Sequence, residues 1–216
     1  MADAAKVWRC AVIANWGIGA VLLKSLLMRS DVDIRFVVTT FENGSADRWR
    51  NAVADEAFKA GVLLFHEDQL SFEQLEQLLR DEGIDLILAH AGKRILPKDV
   101  LSVPKQGSIN FHPSLLPRHR GPAPTWWVLR NKEQETGITS HFMDEGIDTG
   151  PIIATVVVPV KCTDTVESVI DSLKRVLPKL LHVTLEKLGD PDFMPEQQDE
   201  NLAAYESHPS HDYGEF

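Results

Sequence analysis

Ser108-Ile109-Asn110-Phe111-His112-Pro113-Ser114-Leu115-Leu116-Pro117 opens the stretch that decides how this chain is read, and Met143-Asp144-Glu145-Gly146-Ile147-Asp148-Thr149-Gly150 closes it. Residues 108–111 form an apolar, partly β-branched run that stops at a turn, the pattern of a strand end. Asn110 and His112 stand two apart across that end, so on a strand they share a face. Residues 137–142 alternate like a second strand and run into a loop with two glycines and three acids. A fold that joins the two strand ends collects an amide, an imidazole and a carboxylate. An Asp beside a His holds the ring and favours its charged form, and a nearby Asn can donate to a developing oxyanion. Those groups suit acyl transfer to or from an amine.

Working outward, residues 9–14 (Arg-Cys-Ala-Val-Ile-Ala) read as a buried first strand, Asn15-Trp16-Gly17-Ile18-Gly19 as a turn, and residues 20–29 as an apolar helix. A strand, a glycine turn and a helix open many nucleotide-binding α/β sheets. Asn15 stands where a dinucleotide fingerprint has its first glycine, so that fingerprint is incomplete. Glu42, after the next strand (34–39), carries little weight as a ribose ligand. Residues 43–47 read as a loop, 48–60 as a helix ending at Gly61, and 62–65 as a short strand. Ser71 caps a helix with Gln74 in the capping-box position. Residues 85–89 are a further buried strand, Pro97 starts a short helix, and Pro124 begins another. Residues 152–158 are strongly β-branched. Thr163 or Asp164 is expected to cap a long last helix whose apolar residues recur every three or four positions. Pro178 lies inside it and predicts a kink or break. The expected fold is α/β, a doubly wound, mainly parallel, Rossmann-like sheet over residues 1–188. A polar segment, 189–216, follows as a covering arm or tail.

With 216 residues the chain can build one full core, and its 44% hydrophobic content is ordinary for a globular protein. Two cysteines, Cys10 and Cys162, exclude a disulfide scaffold. No apolar run approaches the ~20 residues of a membrane span and residues 1–6 have no signal-peptide core, so a cytoplasmic location is expected. The net charge of −10 weighs against a nucleic-acid partner. The eight histidines show no metal-ligand spacing, so no metal is expected.

The motif from Asn110 to Pro117, Arg120-Gly121, and the run from Met143 to Gly150 resemble the folate-dependent formyltransferase family. That family includes glycinamide ribonucleotide and methionyl-tRNA formyltransferases and the N-formyltransferases of amino sugars. The resemblance covers residues 9–188 and is strongest over 86–153. It implies transfer of a formyl group from 10-formyltetrahydrofolate to a primary amine. It also implies that Asn110 bonds the formyl oxygen, that His112 shuttles a proton, and that Asp148 pairs with His112 and raises its pKa. By the same resemblance, Arg94, Ile95 and Leu96 line the folate pocket and Asp144, Glu145 and Gly146 close around the pterin. The alternatives are a solvated Arg94, core packing for Ile95 and Leu96, and solvated side chains in the loop. The turn at Asn15, Trp16 and Gly17 either holds an acceptor phosphate on its N–H groups or is a tight packing turn. Arg118 and Arg120 either hold acceptor phosphates or brace their loop. Of the adjacent Trp126 and Trp127, at most one can be fully core, which leaves Trp127 as an edge of the acceptor site. Arg120-Gly121-Pro122-Ala123-Pro124 looks close to the tRNA and amino-sugar branches. With the charge of −10, and with nothing the size of a tRNA-binding domain after residue 188, the expected acceptor is a nucleotide-linked amino sugar. A methionyl-tRNA or glycinamide-ribonucleotide acceptor and a non-catalytic folate- or nucleotide-binding protein are the alternatives. A homodimer is allowed.

Overall fold

The computed structural model describes residues 7–41 and 51–209. The expectations for the 43–47 loop and for Glu42 lie outside the described residues, as does Trp49, read from the sequence as a candidate for stacking on a base or sugar. The chain divides into two compact units, residues 1–109 and 110–216.

The first unit is built on β1 (Trp8–Ala14), whose residues Cys10 to Ala14 are all buried. β1 pairs in parallel with β2 (Val32–Thr39) on one side and β4 (Leu86–His90) on the other; β3 (Leu63–His66) continues beyond β2, also parallel. The sheet therefore grows in both directions from β1, the doubly wound arrangement expected from the alternation of strands and helices. Strands buried on both faces read as continuous apolar runs, which is why β1 and β4 were legible. The helices are α1 (Trp16–Leu27), α2 (Ala52–Ala60), α3 (Phe72–Asp81) and the short α4 (Lys98–Leu101). The Ser71–Gln74 capping box at α3 is formed as expected. α1 starts four residues earlier than expected. The glycines of that turn lie inside the helix, where Gly19 serves close packing: a Cβ there would sit 3.0 Å from the Ala14 Cβ and 3.3 Å from Val53.

β5 (Ser108–His112) leads into the second unit, which contains α5 (Pro124–Arg130), β6 (Glu135–Phe142), β7 (Ile152–Pro159) and α6 (Val166–Gly189). β6 and β7 are antiparallel. The strand order is β3-β2-β1-β4-β5-β6-β7 in one seven-stranded sheet. α6 buries Val169, Leu173, Leu177, Leu180, Leu181 and Leu185 on one face. Its Thr184 hydroxyl donates to Ser140 Oγ of β6, 2.7 Å away. Thr165 caps it, one or two residues later than expected, because Thr165 and Ser168 complete a capping box while Asp164 is engaged by the Lys161 N–H.

α6 runs through Pro178 without a break. The apolar face continues on both sides of Pro178, so packing outweighs the single backbone bond that proline cannot make. Pro178 is exposed. Pro178→Ala is expected to restore that bond and raise stability by about 1–3 kcal/mol, read as a higher midpoint in chemical denaturation.

Candidate active site

The carboxylate of Asp148 is the meeting point of the second unit's polar groups. Its Oδ1 accepts from Asn110 Nδ2 at 3.0 Å, and its Oδ2 accepts from the Gly121 N–H at 2.9 Å. His112 Nδ1 lies 3.4 Å from Oδ2, and His141 Nε2 lies 3.4 Å from Oδ1. Asn110 and His112 thus project from one face of β5, as their spacing predicts, and the loop after β6 brings Asp148 to them. The side chains of His112 and Asp148 are only 5% and 11% exposed. Asp148 has a backbone φ of 56°, a left-handed conformation that Asp adopts more readily than most residues but that still costs roughly 1 kcal/mol.

Main-chain carbonyls set the ring tautomers, because a carbonyl oxygen can only accept. His112 Nε2 is 2.8 Å from the His119 carbonyl, so that nitrogen carries the hydrogen and Nδ1 faces Asp148. His141 Nδ1 is 2.8 Å from the Phe142 carbonyl, so it donates there and its Nε2 accepts from Asn110 Nδ2 at 3.2 Å. The two amide hydrogens of Asn110 therefore point at Asp148 and His141.

Burial alone would raise the Asp148 pKa, but the neighbouring His112 and His141 rings and the Gly121 N–H together hold it below the usual carboxylate range. For His112, burial lowers the pKa by more than the Asp148 charge and the His119 carbonyl raise it. The expected elevation by Asp148 is present but outweighed, so the resting ring is neutral beside a charged carboxylate.

Three partners carried no side-chain signal of their own. His141 stood among histidines without metal spacing; its place at the end of β6, just before the acidic loop, was the readable clue. The His119 carbonyl and Gly121 N–H are main-chain groups. Gly121 has φ 93°, and a Cβ there would come within 2.6 Å of the Glu206 carbonyl, so only glycine brings this N–H to Asp148.

Other expected site residues are placed as follows. Asn15 is buried: its N–H donates to His90 O, its Nδ2 donates to Glu67 and Ala91 O, and its Oδ1 accepts from Thr39 and Thr40. Asn15 therefore presents neither its N–H nor its amide to a phosphate, because both are spent on holding the first unit together. Trp16 is exposed and Gly17 half-buried. Arg94 donates to Leu70 O at 2.8 Å and lies over the Phe72 ring; Ile95 is exposed and Leu96 is core. In the acidic loop, Asp144 accepts from Gly146 N and Thr149 Oγ1, while Glu145 and Gly146 are exposed. Arg118 pairs with Glu133 and Glu135. Arg120 is buried against Gln198 and Glu200, and Trp127, half-buried like Trp126, donates to Ser207 O. Arg118 thus reaches the start of β6, and Arg120 reaches the segment after α6. Among the described residues, no group of three or more His, Cys, Asp or Glu could hold a metal ion, and no helix is long and apolar enough to cross a membrane.

The family model described as formyl transferase matches residues 17–185, a span that contains the whole Asp148 cluster. The chain belongs to the formyl transferase family. Within this family it is 31% identical over 204 residues to a methionyl-tRNA formyltransferase of Trichlorobacter lovleyi, covering 92% of this chain and 63% of that protein. It is 41% identical over 133 residues to a methionyl-tRNA formyltransferase of Citrifermentans bemidjiense, covering 62% of this chain and 42% of that protein. The chain thus spans less than two thirds of these curated relatives. Among solved structures, glycinamide ribonucleotide transformylase 1 from Symbiobacterium toebii superposes with a TM-score of 0.70 at 25% identity, covering 89% of this chain and 95% of that one. An N-formyltransferase from Helicobacter canadensis, solved with folinic acid and dTDP-3-aminofucose, has a TM-score of 0.69 at 21% identity, covering 92% and 70%; it shares the fold.

Two stability predictions follow from this geometry. A His112 held neutral by burial takes up its proton below the unfolded value of about 6.5. Between the two values the unfolded chain binds the extra proton, so His112's contribution to stability is complete above about pH 7 and declines as pH falls through about 6.5. Subtracting the stability–pH curve of His112→Asn from that of the wild type should leave this decline. Asn15→Ala leaves Glu67 and Thr39 short of partners and should cost about 1–3 kcal/mol in urea unfolding.

Proposed function

We propose that this chain transfers a formyl group from 10-formyltetrahydrofolate to a primary amine. The observation that carries the reading is the convergence of Asn110 and His112 on the buried carboxylate of Asp148, inside the span matched by the formyl transferase family. Binding alone does not call for a charged carboxylate against a neutral imidazole and an amide donor.

The donor supplies a formyl group attached to nitrogen, ready for attack by an amine. Asn110 would turn one amide hydrogen toward the formyl oxygen as charge builds there. His112 would take the proton released by the attacking amine, because its Nδ1 is unprotonated at rest. The imidazolium so formed lies against Asp148, whose charge stabilises it, and can then return the proton to the departing amine of the donor. The exposed main chain of residues 144–146 would hold the pterin, with Asp144 shaping that turn through Gly146 and Thr149.

Opposite observations favour two acceptors. The net charge of −10 and the internal pairing of Arg118 and Arg120 favour a small acceptor, an amino sugar linked to a nucleotide. The names of the relatives at 31% and 41% identity favour methionyl-tRNA.

The test is formyl transfer from 10-formyltetrahydrofolate to nucleotide-linked amino sugars, glycinamide ribonucleotide and methionyl-tRNA. His112→Ala and Asp148→Asn are expected to lower kcat about 10²–10⁴-fold. Asn110→Ala should lower it about 10²–10³-fold. Undiminished turnover by His112→Ala would overturn the mechanism. Folate binding without turnover on any amine would favour a binding protein, and methionyl-tRNA as the sole substrate would overturn the amino-sugar reading.

A further inference from the structure

We infer that Gln198, on the polar segment after α6, is a positioning residue that sets the backbone of Asp148 for catalysis; this rests on the functional reading above. Gln198 Nε2 donates to the Asp148 carbonyl at 2.9 Å and to the Gly150 carbonyl at 2.7 Å. Its Oε1 accepts from Arg120 Nε at 3.0 Å and from Nη2 at 2.8 Å. A side-chain amide has two hydrogens and two lone pairs, and all four are used here. Gln198 therefore ties the Asp148–Gly150 turn to the buried guanidinium of Arg120. The next residue, Gly121, supplies the N–H that holds the Asp148 carboxylate. Asp148 is gripped at both ends: its side chain by Gly121 and its main chain by Gln198.

Merely fastening the arm would not need these contacts. The segment is already attached by paired backbone bonds between Glu196 and Ile152, by backbone bonds of Arg120 with Ala204 and Glu206, and by the Arg120–Glu200 ion pair. Gln198 adds a hold on the one loop residue whose carboxylate faces His112. That residue sits at φ 56°, a conformation that persists only where its surroundings enforce it. A loop free to relax by about 1 Å would move the carboxylate out of line with His112 Nδ1, and misplacements of that size are costly to rate.

The experiment compares the full chain with Gln198→Met and Gln198→Glu. The first is close in size and makes none of the four bonds. The second keeps the two bonds to Arg120 but sets a carboxylate oxygen against the Asp148 and Gly150 carbonyls. Both leave Arg120 paired with Glu200. Both are expected to lower kcat for formyl transfer at least about tenfold while KM for donor and amine stays within about threefold. In Gln198→Met, the His112 imidazole, followed by NMR without substrate, should titrate about half a unit or more lower, because a displaced Asp148 no longer supports the cation. Wild-type kcat in both variants overturns the inference. So does a loss of kcat that only tracks a lower unfolding midpoint while the His112 titration is unmoved. A wild type inactive on every amine overturns the functional reading instead; the His112 shift in Gln198→Met then still establishes the hold on Asp148, and its absence overturns it.

Discussion

A buried carboxylate has to be surrounded by donors, and the second unit is arranged around meeting that demand at Asp148. Desolvation works against its charge, yet it stays ionised because donors converge on it from separate segments, Asn110 at the end of β5 and the N–H of the Arg120–Gly121 turn, with His141 at the end of β6 beside it. Each group around it is fixed by something else. His141 is oriented by the Phe142 carbonyl, His112 by the His119 carbonyl, and Gly121 by a backbone conformation open to glycine. The result is a connected set of buried polar groups, each held by a further bond.

The same logic separates the roles of the charged residues around it. Arg118 and Arg120 have the charge to hold phosphate, but carboxylates and an amide of their own unit occupy them. Arg94 is spent on Leu70 and the Phe72 ring. In the first unit Asn15 and Glu67 play the part Asp148 plays in the second: buried polar groups whose partners tie the end of β1 to the segments around 39–40, 67 and 91–94. There the convergence fixes a turn. At Asp148 it also leaves an unprotonated imidazole nitrogen beside a negative charge.

Segments whose identity depends on neighbours in sequence were readable before the structure. The β-branched and apolar runs of β1, β4 and β7, the Ser71–Gln74 capping box and the three-to-four spacing of α6 express local backbone chemistry. The start of α1 was misplaced because its glycines stay inside the helix; the packing alternative for them matches the closeness of Gly19 to Ala14 and Val53, which belongs to tertiary contact. Pro178 does not break α6, because a local rule about proline gave way to burial of the α6 face.

By itself, the sequence determined the alternation of strands and helices, the family carried by the Asn110–Pro117 and Met143–Gly150 motifs, and the three side chains that meet at the cluster. Strand period placed Asn110 and His112 on one face, and the resemblance carried by the two motifs singled out Asp148 among the three acids of its loop. Only the tertiary structure decided that His112 rests neutral, that His141 orients Asn110, that two main-chain groups and a distant glutamine hold Asp148, and that Arg118 and Arg120 are internally paired. Those outcomes depend on burial and on which backbone N–H or carbonyl faces which ring, quantities that exist only once segments far apart in sequence are packed together.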